Sequence, residues 1–382
     1  MSSEVSANPR ARHVPELDGI RGVAIAAVMV MHFVATQLKT PQNAVERLIF
    51  SVTGYGMWGV DLFFVLSGYL ITGILMDSRT SSHYFSAFYM RRTLRIFPLY
   101  YGVLFVLIVL LPRQLLARWA PEALQIRDVQ LWLWPYLTNV YVAKAGSFAI
   151  PYISHFWSLA VEEHYYLFWP FVIRAISRRG SLAVAAIVSV FALGLRITLA
   201  ACHANQMWGD VFTPCRLDAL CIGAFVAIWI RGPGGETVLR GAGRILIAVA
   251  VAFAALKALP SGETAHLIAL AIKQFLLAIA FGLFVGTAAW TGGWEPMRRL
   301  MRVRPLRELG KYSYGLYVFH GIVAYYFATH GVFEWFVSRL GSRLVALFVQ
   351  ALLGMALSAL IAVVSFHAYE ERFLRLKRWF KA

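Results

Sequence analysis

Arg21 and His32 stand eleven residues apart in "GIRGVAIAAVMVMHF" (19–33), a run that is otherwise almost wholly apolar. Eleven steps of an α-helix return to within about 20° of the same face and climb ~16 Å. The guanidinium and the imidazole therefore share one stripe of one helix. Ionisable groups inside such runs are rare and usually functional, because burying them costs several kcal/mol unless they are paired. Asp61, Glu162, Glu163 and His320 also lie within apolar runs, and His155 and Asp218 lie at the ends of two of them. A histidine with a carboxylate at its own depth is a workable general base: the carboxylate holds the imidazole tautomer and stabilises the imidazolium. Asp61, Glu162 and Glu163 are the candidate partners of His32. Polar pairs that merely tie helices together are the plainer alternative for the same residues.

A second constellation is "FYMRRTLRIFPLYY" (88–101). Arg92 and Arg95 are three apart and so neighbours on one helical face. A fork of guanidinium groups suits bidentate phosphate binding. Arginines that only mark the cytoplasmic edge of a span are the alternative. The three cysteines, Cys202, Cys215 and Cys221, show no CxxC or Cys/His spacing, so neither a metal site nor a disulfide is expected.

These groups must be positioned by membrane helices. Of 382 residues 59% are hydrophobic and 14% charged, and the mean hydropathy is +0.64. That is too little polar surface for a soluble domain, which carries about 25% charged residues. The expected fold is an all-α polytopic membrane protein. Ten spans of suitable length are expected near 20–38, 56–76, 97–111, 157–174, 182–201, 217–230, 243–259, 267–287, 313–331 and 344–366. The aromatic stretch 131–143, with Pro135, reads as interfacial or re-entrant. The chain divides into an N-terminal tail (1–18), a transmembrane domain (19–368) and a basic C-terminal tail (369–382). The first apolar run is too long for a signal peptide and reads as a retained helix. The net charge of +17 sits in short loops. Lys and Arg favour one set of alternate segments by more than two to one, which places both termini in the cytoplasm. The charge is thus a topology signal, and no nucleic-acid partner is expected. Trp119, Trp132, Trp134, Tyr136, Tyr141 and Tyr152 gather in the outer segment 112–156. They suit either sugar faces or an interfacial belt.

Seven stretches, in order and spread over the chain, resemble the acyltransferase-3 family of bacterial integral-membrane O-acyltransferases. They are "ELDGIRGVAIAAVMVMHF" (16–33), "GVDLFFVLSGYLITGIL" (59–75), "MRRTLRIFPLYY" (90–101), "FWSLAVEEHYYLFWP" (156–170), "RLDALCIGAFVA" (216–227), "LGKYSYGLYVFH" (309–320) and "YEERFLRL" (369–376). The family's basic residue ten positions before a histidine falls on Arg21 and His32. Its RxxR pattern falls on Arg92 and Arg95, and its paired carboxylates on Glu162 and Glu163. His164 departs from the Gln usual there. The resemblance implies transfer of an acetyl or other short acyl group from cytoplasmic acetyl-CoA or another acyl-CoA to a hydroxyl, in the bacterial inner membrane. Arg21, Arg92 and Arg95 would hold the donor's phosphates. His32 would be the base, or less readily the acyl carrier, with Asp61, Glu162, Glu163 and His320 around it. No metal is implied. A glycan or lipid-linked glycan is the favoured acceptor and a macrolide-like small molecule the alternative. The resemblance is to stand-alone members, without the SGNH domain of some relatives. A transporter is the rival class, since intramembrane His, Arg and Asp also build proton relays.

Overall fold

The structure is a computed structural model and describes residues 14–38, 40–256 and 262–380. Helices and turns make up these residues, and no strand occurs among them. In hydrocarbon every backbone N–H and C=O needs an internal partner, and a helix supplies it within one segment.

The helices that matter here are α1 (Pro15–Val30), α2 (Ala44–Gly54), α3 (Trp58–Asp77), α4 (Tyr84–Phe105), α5 (Trp157–Ala175), α6 (Arg178–Ala201), α7 (Thr213–Ile230), α8 (Ala242–Ala255), α9 (Glu263–Ala289), α10 (Glu295–Met301), α11 (Arg304–Lys311), α12 (Ser313–Thr329) and α13 (Arg343–Ser365). Among the described residues, seven helical stretches are long and apolar enough to cross a membrane. They contain α1, α2 with α3, α4, α6, α7, α9 and α13. The other three expected spans fall on α5, which carries Glu162 and Glu163, and on the shorter α8 and α12. The chain is a polytopic all-α membrane protein.

α1 takes in the last four residues of the expected tail, 15–18. Pro15 suits the first helical turn, where its missing N–H costs nothing. Glu16 is buried, and it accepts from Arg298 at 2.7 Å and lies 2.6 Å from Arg302. That pair ties α1 to α10. One turn on, α1 lies on α10 and α11 without side chains between them. A Cβ on Gly19 would sit 1.9 Å from the Met301 carbonyl oxygen, and one on Gly22 would sit 2.0 Å from that of Leu306. α3 and α7 touch the same way, at Gly68 and Gly223. Small residues at such crossings let dispersion and backbone contact do what the hydrophobic effect cannot do in lipid.

α4 is longer than the expected 97–111 and continues through a π turn (Val106–Leu110). Arg92 and Arg95 therefore lie in the body of a helix. The C-terminal segment also stays helical, through a π turn (Phe366–Glu370) and Glu371–Arg375, and Tyr369 donates its hydroxyl to the Pro98 carbonyl at 3.1 Å. The stretch 131–143 is broken: Gln130–Leu133 and Thr138–Ala145 flank a turn in which Tyr136 takes φ 58°. Tyr136 is buried and stacks on Tyr100 at 4.0 Å, and buried Tyr152 lies 4.6 Å from Tyr325. Their ring faces are used internally, which removes both from the set that suits a sugar. All three cysteines are free.

Candidate active site

α1, α3, α4, α5 and α12 line a partly open cavity with about 710 Å³ of empty space, its mouth included. Arg21, Arg92 and Arg95 line it together with Ser67, Glu162, Glu163, Tyr166, Tyr314 and Tyr317. The Arg92 guanidinium lies 5.5 Å over the Tyr166 ring. Arg21 is 3.6 Å from Asp18. Among the described residues neither Arg92 nor Arg95 enters an ion pair, so their forks face the cavity with donors to spare. Glu162 accepts a hydrogen bond from the Ser67 hydroxyl. Glu163 Oε1 is buried and has no hydrogen-bond partner among the described residues. Arg95 and Tyr314 also line a smaller cavity of about 280 Å³ shared with Lys311 and Glu370.

A histidine cluster adjoins this cavity. The His32 and His320 rings are 4.8 Å apart and edge-on, and His155 lies 5.1 Å beyond His320. Tyr317 joins cavity and cluster: it lines the cavity, its ring is 5.4 Å from His320, and its hydroxyl meets Ser158 Oγ at 2.5 Å and the His155 carbonyl at 2.9 Å. Ser158 lines the same cavity.

His32 stands in a π turn, Met31–Ala35, that continues α1. Such turns are frequent at functional sites, because the widened turn frees backbone carbonyls and re-aims side chains. Side chains meet those carbonyls here. Thr36 Oγ1 donates to the His32 carbonyl at 2.5 Å and Gln37 Nε2 at 3.1 Å, and Gln350 Nε2 donates to the Phe33 carbonyl at 3.4 Å. His32 Nδ1 is 3.0 Å from the Val28 carbonyl. A carbonyl only accepts, so Nδ1 carries the proton and Nε2 keeps a lone pair. His32 is partly exposed whereas His320 is fully buried. An accessible neutral imidazole with its tautomer fixed is what a general base requires.

The comparisons with known proteins agree on one family. Residues 14–367 match the family model Acyl_transf_3, an acyltransferase domain. The chain belongs to the acyltransferase-3 family. It is 32% identical over 231 residues to the O-acetyltransferase OatA of Staphylococcus aureus (strain NCTC 8325 / PS 47), a match covering 57% of this chain and 35% of that protein. It is 27% identical over 334 residues to the peptidoglycan O-acetyltransferase OatA of Listeria monocytogenes, covering 81% and 49%. It is 28% identical over 352 residues to the putative peptidoglycan O-acetyltransferase YrhL of Bacillus subtilis, covering 81% and 48%. The chain spans about half or less of the length of these curated relatives. No solved structure matches it significantly.

Of the expected site residues, Arg21, Arg92, Arg95, Glu162 and Glu163 meet around the cavity, and His32 and His320 meet beside it. Asp61 does neither. It is buried against the Arg216 guanidinium, where α3 crosses α7. The His32 ring is held by a backbone carbonyl, so Asp61 is not the group that orients it. Asp218 pairs with Arg196 at 2.5 Å. His164, at the position usual for Gln, meets Thr213 Oγ1 at 2.7 Å. Ser67, Ser158, Tyr166, Tyr314 and Tyr317 were not foreseen. They carry no formal charge, so nothing about their cost in lipid marks them, although Ser158, Tyr166 and Tyr317 lie within about a turn of Glu162 or His320.

Proposed function

We propose that this chain moves an acetyl or other short acyl group from acyl-CoA to a hydroxyl of a cell-envelope glycan. The observation that carries the reading is the junction: a cavity lined by three arginines shares Tyr317 and Ser158 with a histidine cluster. The names of the relatives, O-acetyltransferases and in two cases of peptidoglycan, support the acceptor class.

In this reading the donor's phosphates lie against Arg92, Arg95 and Arg21, and its pantetheine arm reaches toward His32. The ~16 Å rise from Arg21 to His32 suits an extended arm. His32 Nε2 takes the proton of the acceptor hydroxyl as its oxygen attacks the thioester carbonyl. The carbon–sulfur bond then breaks, and the imidazolium returns the proton to the thiolate. Ester and free thiol leave, and His32 is neutral again. Glu162 and Glu163 line the same cavity as the arginines and set the charge the donor meets. The protein works in a bacterial cytoplasmic membrane, with donor and acceptor arriving from opposite faces.

Purified protein in liposomes, given acetyl-CoA labelled in the acetyl group and a glycan acceptor, should produce labelled glycan. Movement of glycan across the bilayer without donor, and no labelled product, would instead support a transporter.

A further inference from the structure

His320 is more than a neighbour of His32. Its Nδ1 lies 3.0 Å from the Leu316 carbonyl and must be protonated, which leaves the lone pair on Nε2. That Nε2 is fully buried, and no donor among the described residues meets it. A buried acceptor without a partner is costly, and folded proteins rarely keep one without a use. His155 does not fill it. Its Nε2 lies 3.1 Å from the Val318 carbonyl and donates there, so the ring is already committed. The backbone clears space for this ring: a Cβ on Gly321 would sit 2.3 Å from His155. The three rings thus hold three N–H groups pinned to carbonyls, while their remaining nitrogens carry lone pairs. Of these lone pairs, that of His320 is the one buried without a partner among the described residues.

Resting on the acyl-transfer reading above, we infer that His320 is a positioning residue whose Nε2 accepts a hydrogen bond from His32 once His32 has taken the proton of the acceptor hydroxyl. Protonation turns both His32 nitrogens into donors. Nδ1 already serves the Val28 carbonyl. The rings are edge-on and 4.8 Å apart, so the new N–H forms next to the ring that carries the empty acceptor. The proton is held there until the departing thiolate reclaims it. His320 stays neutral throughout and touches no substrate.

The groups around His32 leave little else to stabilise its cation. On α12 they are His320 and Tyr317, and ahead of α5 stands His155. On α2, packed against the π turn, they are Glu46, tied to Arg343 at 3.1 Å, and exposed Arg47. Arg343 opens α13, which carries no other ionisable group. On α3 Asp61 is taken by Arg216.

The test is the pH profile of kcat for transfer from labelled acetyl-CoA in liposomes, for wild type, His320→Phe and His320→Gln, with thermal unfolding as the control on folding. Phenylalanine fills the space and removes the acceptor; glutamine keeps one. His320→Phe should lower kcat about tenfold or more with the donor KM unchanged. It should also move the acid limb about one pH unit downward, because an unsupported imidazolium gives up its proton more readily. His320→Gln should restore most of both. A wild-type midpoint retained in His320→Phe overturns the inference, as does an equal shift in both variants. A wild-type protein that transfers no acyl group removes the acyl-transfer reading itself and this inference with it. A His320→Phe protein that does not fold moves the same comparison to His320→Leu.

Discussion

Arginines and carboxylates meet inside the membrane in two regions, and the two are built differently. On the two sides of α7 they close on one another: Arg216 on Asp61 of α3, and Asp218 on Arg196 of α6 at 2.5 Å, all four nearly without exposure. Backbones in contact at Gly68 and Gly223 hold α3 close against α7. In the cavity between α1, α4 and α5 the same residue types stay apart. Arg92 and Arg95 have no carboxylate partner among the described residues, Glu163 keeps an unused oxygen, and about 710 Å³ lies between them. A closed pair spends its charge on the fold, although Nε of Arg196 and of Arg216 meets no partner among the described residues. An open set keeps its charge for a ligand, and that difference separates a structural charge from a functional one.

Losing the base at the open end should have the largest effect. His32→Ala is expected to lower acyl transfer roughly 10²–10⁴-fold, the usual contribution of a positioned general base. Thermal unfolding should change little, since the ring is partly exposed and has one hydrogen bond to Val28. Near-normal transfer by a folded His32→Ala protein would remove His32 from the chemistry.

The closed region should answer in stability instead. Arg216→Met leaves Asp61 buried and unpaired, at a cost of about 3–5 kcal/mol. Replacing both, Arg216→Met with Asp61→Leu, should recover most of that loss, because a buried pair is hardly better than well-packed apolar groups. Denaturant unfolding in detergent measures both variants. If the double variant is folded yet loses transfer, the pair is not merely structural and the contrast between the regions fails.

Arg92→Ala and Arg95→Ala reverse the pattern. Each removes charge-assisted hydrogen bonds worth about 1.5–3 kcal/mol to a bound phosphate, so donor Kd should rise roughly ten- to a hundredfold. Stability should hold, since no ion pair is broken. Arg92→Lys should recover only part of the affinity, because an ammonium cannot offer the planar fork. Equilibrium binding of CoA to the detergent-solubilised protein measures this, and unchanged affinity in both alanine variants would detach the donor from these arginines.

Helical periodicity carried the sequence reading a long way. The eleven-residue spacing put Arg21 and His32 on one stripe, and the three-residue spacing put Arg92 beside Arg95. Both pairs reach one site. Periodicity gives depth along a helix, however, and not which neighbour a face meets. Asp61, Glu162 and Glu163 share a depth band with His32, and only the α3–α7 crossing turns Asp61 toward Arg216. The helix boundaries drifted for a related reason. α4 runs on through "SAFYMRRTLR", whose polar residues end an apolar run without ending a helix, and two of which, Arg92 and Arg95, line the cavity. Pro135 marks a break in 131–143, but nothing in the pattern tells that the following Tyr136 takes φ 58°, since a bulky non-glycine residue seldom does. Tyr317 and Ser67 were invisible because hydroxyls are cheap to bury beside a partner.

The smallest expected effect lies where the Arg92 guanidinium sits 5.5 Å over the Tyr166 ring. An aromatic face under a guanidinium contributes about 0.5–1 kcal/mol where water still reaches. Tyr166→Leu should therefore weaken donor binding roughly two- to fivefold. Tyr166→Phe, which keeps the ring, should bind as wild type does. If Tyr166→Phe is as weak as Tyr166→Leu, the hydroxyl and not the ring is what the donor or Glu162 needs. Arg92 would then be held by hydrogen bonding, as Arg216 is, and the two regions would differ less than their geometry suggests.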